Sequence, residues 1–241
     1  MPEAPPPVGS ARIALLEGLD LDTLVRRHGP QNPQRVIALL SQTCDALADA
    51  HARGLIHRDI KPANIFACRL GQEVDFVKVL DFGLVKAVDA PPEAELTQVG
   101  MTTGTPAYIA PEQALGDEID GRADLYALGC VGYWLLTGST LFPAASGVSL
   151  LLEHVKTEPV PPSERSDQPI PEDLENVILS CLRKQPDERP QDAATLQSML
   201  QACRASTLWT QTEAHAWWQR PHSSEAQIRC IATGGVALRL T

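Results

Sequence analysis

Residues Leu55–Phe66 read LIHRDIKPANIF. An apolar lead-in is followed by a carboxylate at Asp59, a cation at Lys61 and a neutral amide at Asn64, and the stretch closes on the apolar pair Ile65-Phe66. Phosphoryl transfer to a hydroxyl needs a carboxylate near the acceptor, cations around the equatorial oxygens, and oxygen ligands for Mg²⁺. Asp59 suits the first task, Lys61 the second. The amide oxygen of Asn64 suits the third, since Mg²⁺ takes few protein oxygens and shares the rest with substrate phosphates. A second metal ligand is wanted. Asp81-Phe82-Gly83 offers a carboxylate before a flexible glycine, just after the apolar run Phe76–Leu80.

Outward from this stretch, Leu15–Leu24 reads as a short extended piece turning into a helix. From Pro33 to Arg53 the residues Val36, Leu40, Thr43, Leu47 and Ala50 recur at spacings of three and four, which predicts an amphipathic helix. Asn32 supplies its cap, Pro33 its first turn, and Gly54 its stop. The apolar runs Leu55-Ile56, Ile65-Phe66 and Phe76–Leu80 read as small strands and hairpins split by polar turns. Asp89–Thr105 has no periodicity and reads as a long surface loop, a class that is usually functional. Helices are predicted at about 122–137, 147–157, 172–183 and 191–204. The fold class is α+β, with helices dominating and short β-hairpins carrying the loops.

These motifs resemble those of the eukaryotic-like serine/threonine protein kinases of bacterial type, in particular their large C-terminal lobe. His57-Arg58-Asp59 with Asn64 is similar to the catalytic loop H-R-D-L-x-x-x-N, with Ile60 in the leucine slot; Asp81-Phe82-Gly83 matches D-F-G and Ala110-Pro111-Glu112 matches A-P-E. The resemblance covers about residues 13–204 and implies ATP and Mg²⁺ as cofactors and protein substrates bearing Ser or Thr. It implies Asp59, Lys61, Asn64 and Thr105 as catalytic residues and Asn64 and Asp81 as metal ligands. Adenine would be met by the backbone at Ala14 and Leu16 and by Phe66 beneath the ring, with Asp81 completing the nucleotide site.

The same resemblance assigns supporting roles. Asp124 would anchor the catalytic-loop backbone, Glu112 and Arg189 would form a buried ion pair, and His57 and Phe82 would belong to a packed regulatory stack. The segment 81–112 resembles an activation segment. Arg58 would pair with a phosphate on it, with Thr97, Thr102 and Thr103 as candidate acceptors and the last two favoured.

The resemblance also implies a glycine-rich loop and a strand lysine ahead of the catalytic loop. No G-x-G-x-x-G precedes His57, and Lys61 is the first lysine of the chain. The expectation is therefore a catalytic region whose small lobe is missing from these residues, with negligible activity alone. The alternatives are a catalytically silent binding module, or a lobe completed by a small-lobe-supplying or regulatory protein in trans. Residues 1–12 are proline-rich and expected to be irregular. Residues 205–241 form a tail with Trp209, Trp217 and Trp218, for which a helix packed back on the core is the simpler reading and a binding surface the other.

Bulk composition narrows the rest. The 241 residues carry a net charge of −10, against the basic footprint of nucleic-acid binders. The six cysteines lie far apart without a C-x-x-C pair, which argues for buried thiols in a reducing, cytoplasmic setting. The longest apolar stretch, Ala127–Leu136, is too short to span a bilayer, so no membrane partner is expected.

Overall fold

The structure is a computed structural model, and it describes residues 14–81, 106–143, 146–207, 209–220 and 227–231, with the side chains of 14–16 and 227–231 outside the description. Phe82, Thr97, Thr102, Thr103, Thr105 and the predicted surface loop lie outside the described residues, as does the proline-rich start.

Strand β1 (Ala14–Asp20) runs directly into helix α1 (Leu21–His28). Asp20 makes the junction. Its backbone is extended, and its carboxylate accepts the Thr23 N–H at 2.8 Å, filling one of the orphan donors of the first turn. Helix α2 (Pro33–His51) begins the same way, with Asn32 Oδ1 accepting the Arg35 N–H at 2.8 Å. A hairpin follows, β2 (Ile65–Leu70) and β3 (Glu73–Val79). Then come α3 (Pro111–Leu115), α4 (Gly121–Thr137), α5 (Gly147–Lys156), α6 (Glu172–Cys181), α7 (Ala193–Ala202), α8 (Gln211–Trp218) and a last strand, β4 (Gln227–Ile231).

Helix α4 is the centre of the helical layer. From Ala123 to Thr137 every residue is buried, as befits a helix that is apolar on all sides. Helices α2 and α7 pack against each other, α6 lies on α4, and Leu40, Leu47, Leu128, Val131, Ile178, Leu196 and Leu200 join one continuous core. The four strands form one antiparallel sheet in the order β3-β2-β1-β4. Strand β2 is buried on both faces by alternation: Ile65 and Ala67 enter the main core, while Phe66 and Cys68 form a second small cluster with Phe76 and Leu80. Gly18 allows β1 to lie this close to β2, since a Cβ there would stand 2.3 Å from the Ala67 carbonyl oxygen.

The helix bounds differ from the sequence reading by at most two residues, because caps and short 3₁₀ turns take over the ends. The strand reading of Leu55-Ile56 is corrected. These residues lie in irregular chain: the Leu55 N–H returns to the Ala50 carbonyl at 3.0 Å, closing the end of α2, and the next amides are claimed by a side chain on α4. No helix among the described residues is long and apolar enough to cross a membrane.

Candidate active site

The loop after α2 is shaped by one carboxylate. Asp124, in the first turn of α4 and only 1% exposed, accepts the His57 N–H on Oδ2 at 2.9 Å and the Arg58 N–H on Oδ1 at 2.8 Å. His51, at the end of α2, adds a third bond from Nε2 to Oδ2 at 2.8 Å. Gly121 makes room for that ring, since a Cβ there would come within 2.7 Å of His51 Nδ1. The carboxylate gains from its place near a helix N-terminus, where orphan amides favour negative charge. Arg58 passes through φ +66, so the backbone turns sharply just before Asp59.

His57 acts as a strut. Its Nε2 bonds the Leu80 carbonyl at 2.8 Å, and its Nδ1 accepts the Asp59 N–H at 3.3 Å. A ring protonated on Nε2 satisfies both contacts. This links the loop to the end of β3, where Asp81 follows at φ +61 with an exposed side chain.

Asp59, Lys61 and Asn64 converge on one point. Lys61 Nζ lies 2.6 Å from Asp59 Oδ2, and Asn64 Nδ2 donates to the same oxygen at 3.0 Å and to the Asp59 carbonyl at 2.9 Å. With its nitrogen directed to Asp59, Asn64 presents Oδ1 as its acceptor. The Leu80 N–H donates to the Asn64 carbonyl at 2.8 Å, tying the two ends of the β2–β3 hairpin and bringing Asn64 and Asp81 to the same end of the sheet. A carbonyl oxygen and a carboxylate there form an oxygen donor set that fits Mg²⁺.

Ala14 and Leu16 lie in β1, where their backbones pair with Ile231 and Arg229 of β4. Phe66 is 1% exposed, on the face of β2 turned away from the helices. An adenine ring finds no open aromatic face there.

Glu112 and Arg189 form a bidentate pair, Nη1 to Oε1 and Nη2 to Oε2, both at 2.7 Å. The remaining guanidinium donors reach the carbonyls of Arg183, Lys184 and Arg122 at 2.8–3.0 Å. Next to Glu112, Gln113 Nε2 donates to the Arg58 carbonyl at 3.2 Å, joining α3 to the loop.

Sequence reasoning missed His51 and Gln113, because neither belongs to a motif. It also missed a second buried pair, in which Arg35 Nε and Nη2 bind Asp75 at 2.8 and 2.6 Å. Trp209 and Trp218 of the tail donate their indole N–H groups to Asp75 at 3.0 and 2.7 Å. The ring of Trp217 lies 3.7 Å from the Arg35 guanidinium carbon. The available signal was compositional: three tryptophans in ten residues, Trp209–Trp218.

Residues 13–202 match the protein kinase domain family. The chain belongs to that family. Its relatives include serine/threonine-protein kinase pkn3 of Myxococcus xanthus, 44% identical over 198 residues that cover 80% of this chain and 36% of the relative. Serine/threonine-protein kinase PknB of Mycobacterium tuberculosis is 40% identical over 201 residues, covering 82% and 31%. The chain thus spans about a third of the length of the curated relatives it matches. Among solved structures, Rad53 1–466 in complex with AMP-PNP is 28% identical with a TM-score of 0.61, covering 76% of this chain and 44% of that one. The Mycobacterium tuberculosis PknI kinase domain shares the fold at a TM-score of 0.57 and 24% identity, covering 77% and 62%. Both of these curated relatives carry the name serine/threonine-protein kinase.

Proposed function

We propose that the chain is the catalytic lobe of a serine/threonine protein kinase, which transfers the γ-phosphoryl group of ATP to Ser or Thr hydroxyls of protein substrates. The observation that carries this reading is the convergence of Asp59, Lys61 and Asn64 within 3.0 Å, with Asp81 brought to the same end of the hairpin. Asp59 orients the acceptor hydroxyl and takes its proton, and Lys61 offsets charge on the transferred group. Asn64 and Asp81 would hold Mg²⁺, which would supply charge neutralisation between the phosphates. The backbone of Ala14 and Leu16 and the ring of Phe66 are assigned to adenine, and Thr105 to the catalytic loop. Arg58 would receive a phosphate borne on Thr97, Thr102 or Thr103. His57, Phe82, Asp124, Glu112 and Arg189 support this frame.

In this reading residues 13–204 are hinge and catalytic lobe, 81–112 the activation segment, and 205–241 a tail. The setting is cytoplasmic, with no nucleic-acid partner. These 241 residues hold no glycine-rich loop and no lysine before Lys61, so positioning of the phosphates is weak, and positioning dominates phosphoryl-transfer catalysis. The chain by itself is therefore silent, and a small lobe from elsewhere, in cis or from a regulatory partner, completes it.

The test uses the native product purified from its own cells, with its intact mass measured. Its phosphorylation of a generic protein substrate should fall by about a hundredfold or more with Asp59→Asn, the loss expected of a missing acid–base group. The 241-residue chain should transfer at background. A transfer rate from that chain that Asp59→Asn abolishes would overturn the silent reading, and a native product indifferent to Asp59→Asn would overturn the kinase reading.

A further inference from the structure

We propose that strand β4 is an internal strap that closes the nucleotide edge of β1, so that nucleotide and the chain's own C-terminal segment compete for the backbone of Ala14–Gly18. The proposal rests on the assignment of that edge to adenine. Strand β4 pairs with β1 in the register Ala14↔Ile231, Leu15↔Cys230, Leu16↔Arg229, Glu17↔Ile228 and Gly18↔Gln227. In an antiparallel ladder every second residue exchanges both its N–H and its C=O with the partner, and the strands stand about 4.8 Å apart. No purine ring fits into that gap. The other side of β1 is taken by β2 from Gly18 to Asp20, so β1 is an interior strand as long as β4 is present.

Phe66 agrees with a closed state. It is assigned to lie beneath the adenine, yet it is 1% exposed. A ring could stack on it only after the side chains packed around it rearrange.

The strap is tethered by a firm anchor. Helix α8 is held at its start by Gln211, whose side-chain oxygen accepts the Val74 N–H and whose nitrogen donates to the Val74 carbonyl, both at 3.0 Å. His215 Nε2 bonds the Gln72 carbonyl at 3.0 Å. Further along, Trp218 donates to Asp75 and Trp217 lies over Arg35. The anchor therefore covers the open edge of β3, and β4 begins nine residues after Trp218. Covalent attachment at so short a sequence separation keeps the strand at a high effective concentration near β1. As a five-residue edge strand, β4 pairs on one side only, so its departure leaves the β1–β2–β3 ladders intact. It is thus displaceable: it lowers apparent nucleotide affinity by the fraction of time it occupies the edge.

The test is the variant Ile228→Pro/Arg229→Pro in the full chain. Hydrogen-bonded positions alternate along the ladder, so one of the two prolines removes an N–H directed at β1 whichever phase the ladder has. Binding of Mg·ADP is measured by calorimetry, hydrogen exchange is followed at the amides of 14–18 and 227–231, and tryptophan emission reports whether α8 stays docked. The variant should bind Mg·ADP about tenfold more tightly, as for an edge open about a tenth of the time in the parent. It should lose protection at 14–18 with unchanged emission. In the parent, saturating Mg·ADP should speed exchange at 227–231. A chain ending at Arg220, which keeps α8, should repeat the gain in affinity. Equal affinity in parent and variant, with 227–231 protected in the parent, would overturn the strap and leave the nucleotide reading standing. Absence of Mg·ADP binding in both chains would overturn the nucleotide reading, and the competition with it.

Discussion

Among the described residues two arginine–carboxylate pairs are buried, and they are held by different parts of the chain. Arg189–Glu112 is closed by main-chain carbonyls of Arg183, Lys184 and Arg122, and by the Tyr126 ring 4.9 Å from the guanidinium carbon. Arg35–Asp75 is closed by side chains: Gln31 Oε1 at 2.8 Å, the Trp217 face, and the indole N–H groups of Trp209 and Trp218. All three tryptophans lie beyond the family match, which ends at residue 202. A charge satisfied by backbone is secure wherever the fold forms. A charge satisfied by tryptophans from a later segment makes that segment part of the fold.

The largest effects should come from truncating the arginines. Arg189→Ala and Arg35→Ala each leave a carboxylate buried without its counter-charge, a change that typically costs about 3–5 kcal/mol. Urea denaturation of the two variants should show comparable losses. The comparison breaks if Arg35→Ala costs less than about 1 kcal/mol, since the two indole donors would then suffice for Asp75 and the pair would be dispensable.

The next effect separates the pairs by pH. Beside the first pair, Tyr126 bonds His154 Nδ1 at 2.9 Å, and the imidazole is fully buried against Phe142 and near Lys184. Burial first, and the Lys184 charge second, push the His154 pKa down from 6.5 to about 4. Between those values the unfolded chain binds a proton that the folded chain refuses. Stability contributed by this group is therefore present above about pH 6.5 and is lost as pH falls toward 4, by about 3 kcal/mol over the full window. His154→Gln keeps a polar partner for Tyr126 without the titration, and should flatten that part of the stability profile. An unchanged profile would place the acid sensitivity elsewhere.

What the sequence made legible follows from what kind of interaction each element uses. The convergence of Asp59, Lys61 and Asn64 is local, within six residues, so spacing alone exposed it. Helices α2 and α4 were legible because the Asn32 cap of α2 and the apolar pattern of both helices lie in consecutive residues. The Arg35–Asp75 pair spans 40 residues, and its tryptophans stand another 134–143 beyond Asp75. No periodicity signals a contact at that range. An arginine in the first turn of an amphipathic helix looks like a solvated residue until its partners are known. The misread strand at Leu55-Ile56 has the same origin: apolar residues were taken for a ladder when their neighbours' amides were claimed by Asp124, 66 and 67 residues away.

The smallest effect is the most informative about the tail. Trp218→Phe keeps an aromatic ring but deletes the N–H that reaches Asp75 at 2.7 Å, and hydrogen bonds to charged groups are worth about 2 kcal/mol. Denaturation of the single variant should show a loss of that order, with helical content retained. The sharper reading comes from double variants. Trp218→Phe combined with Arg189→Ala should be additive to within about 0.5 kcal/mol, because the two clusters share no partner. Combined with Arg35→Ala it should depart from additivity by at least that much, because both residues act on the same carboxylate. Additivity in both backgrounds would mean that the tail packs on the core without bearing on its buried charge, and that Arg35–Asp75 is as self-contained as Arg189–Glu112.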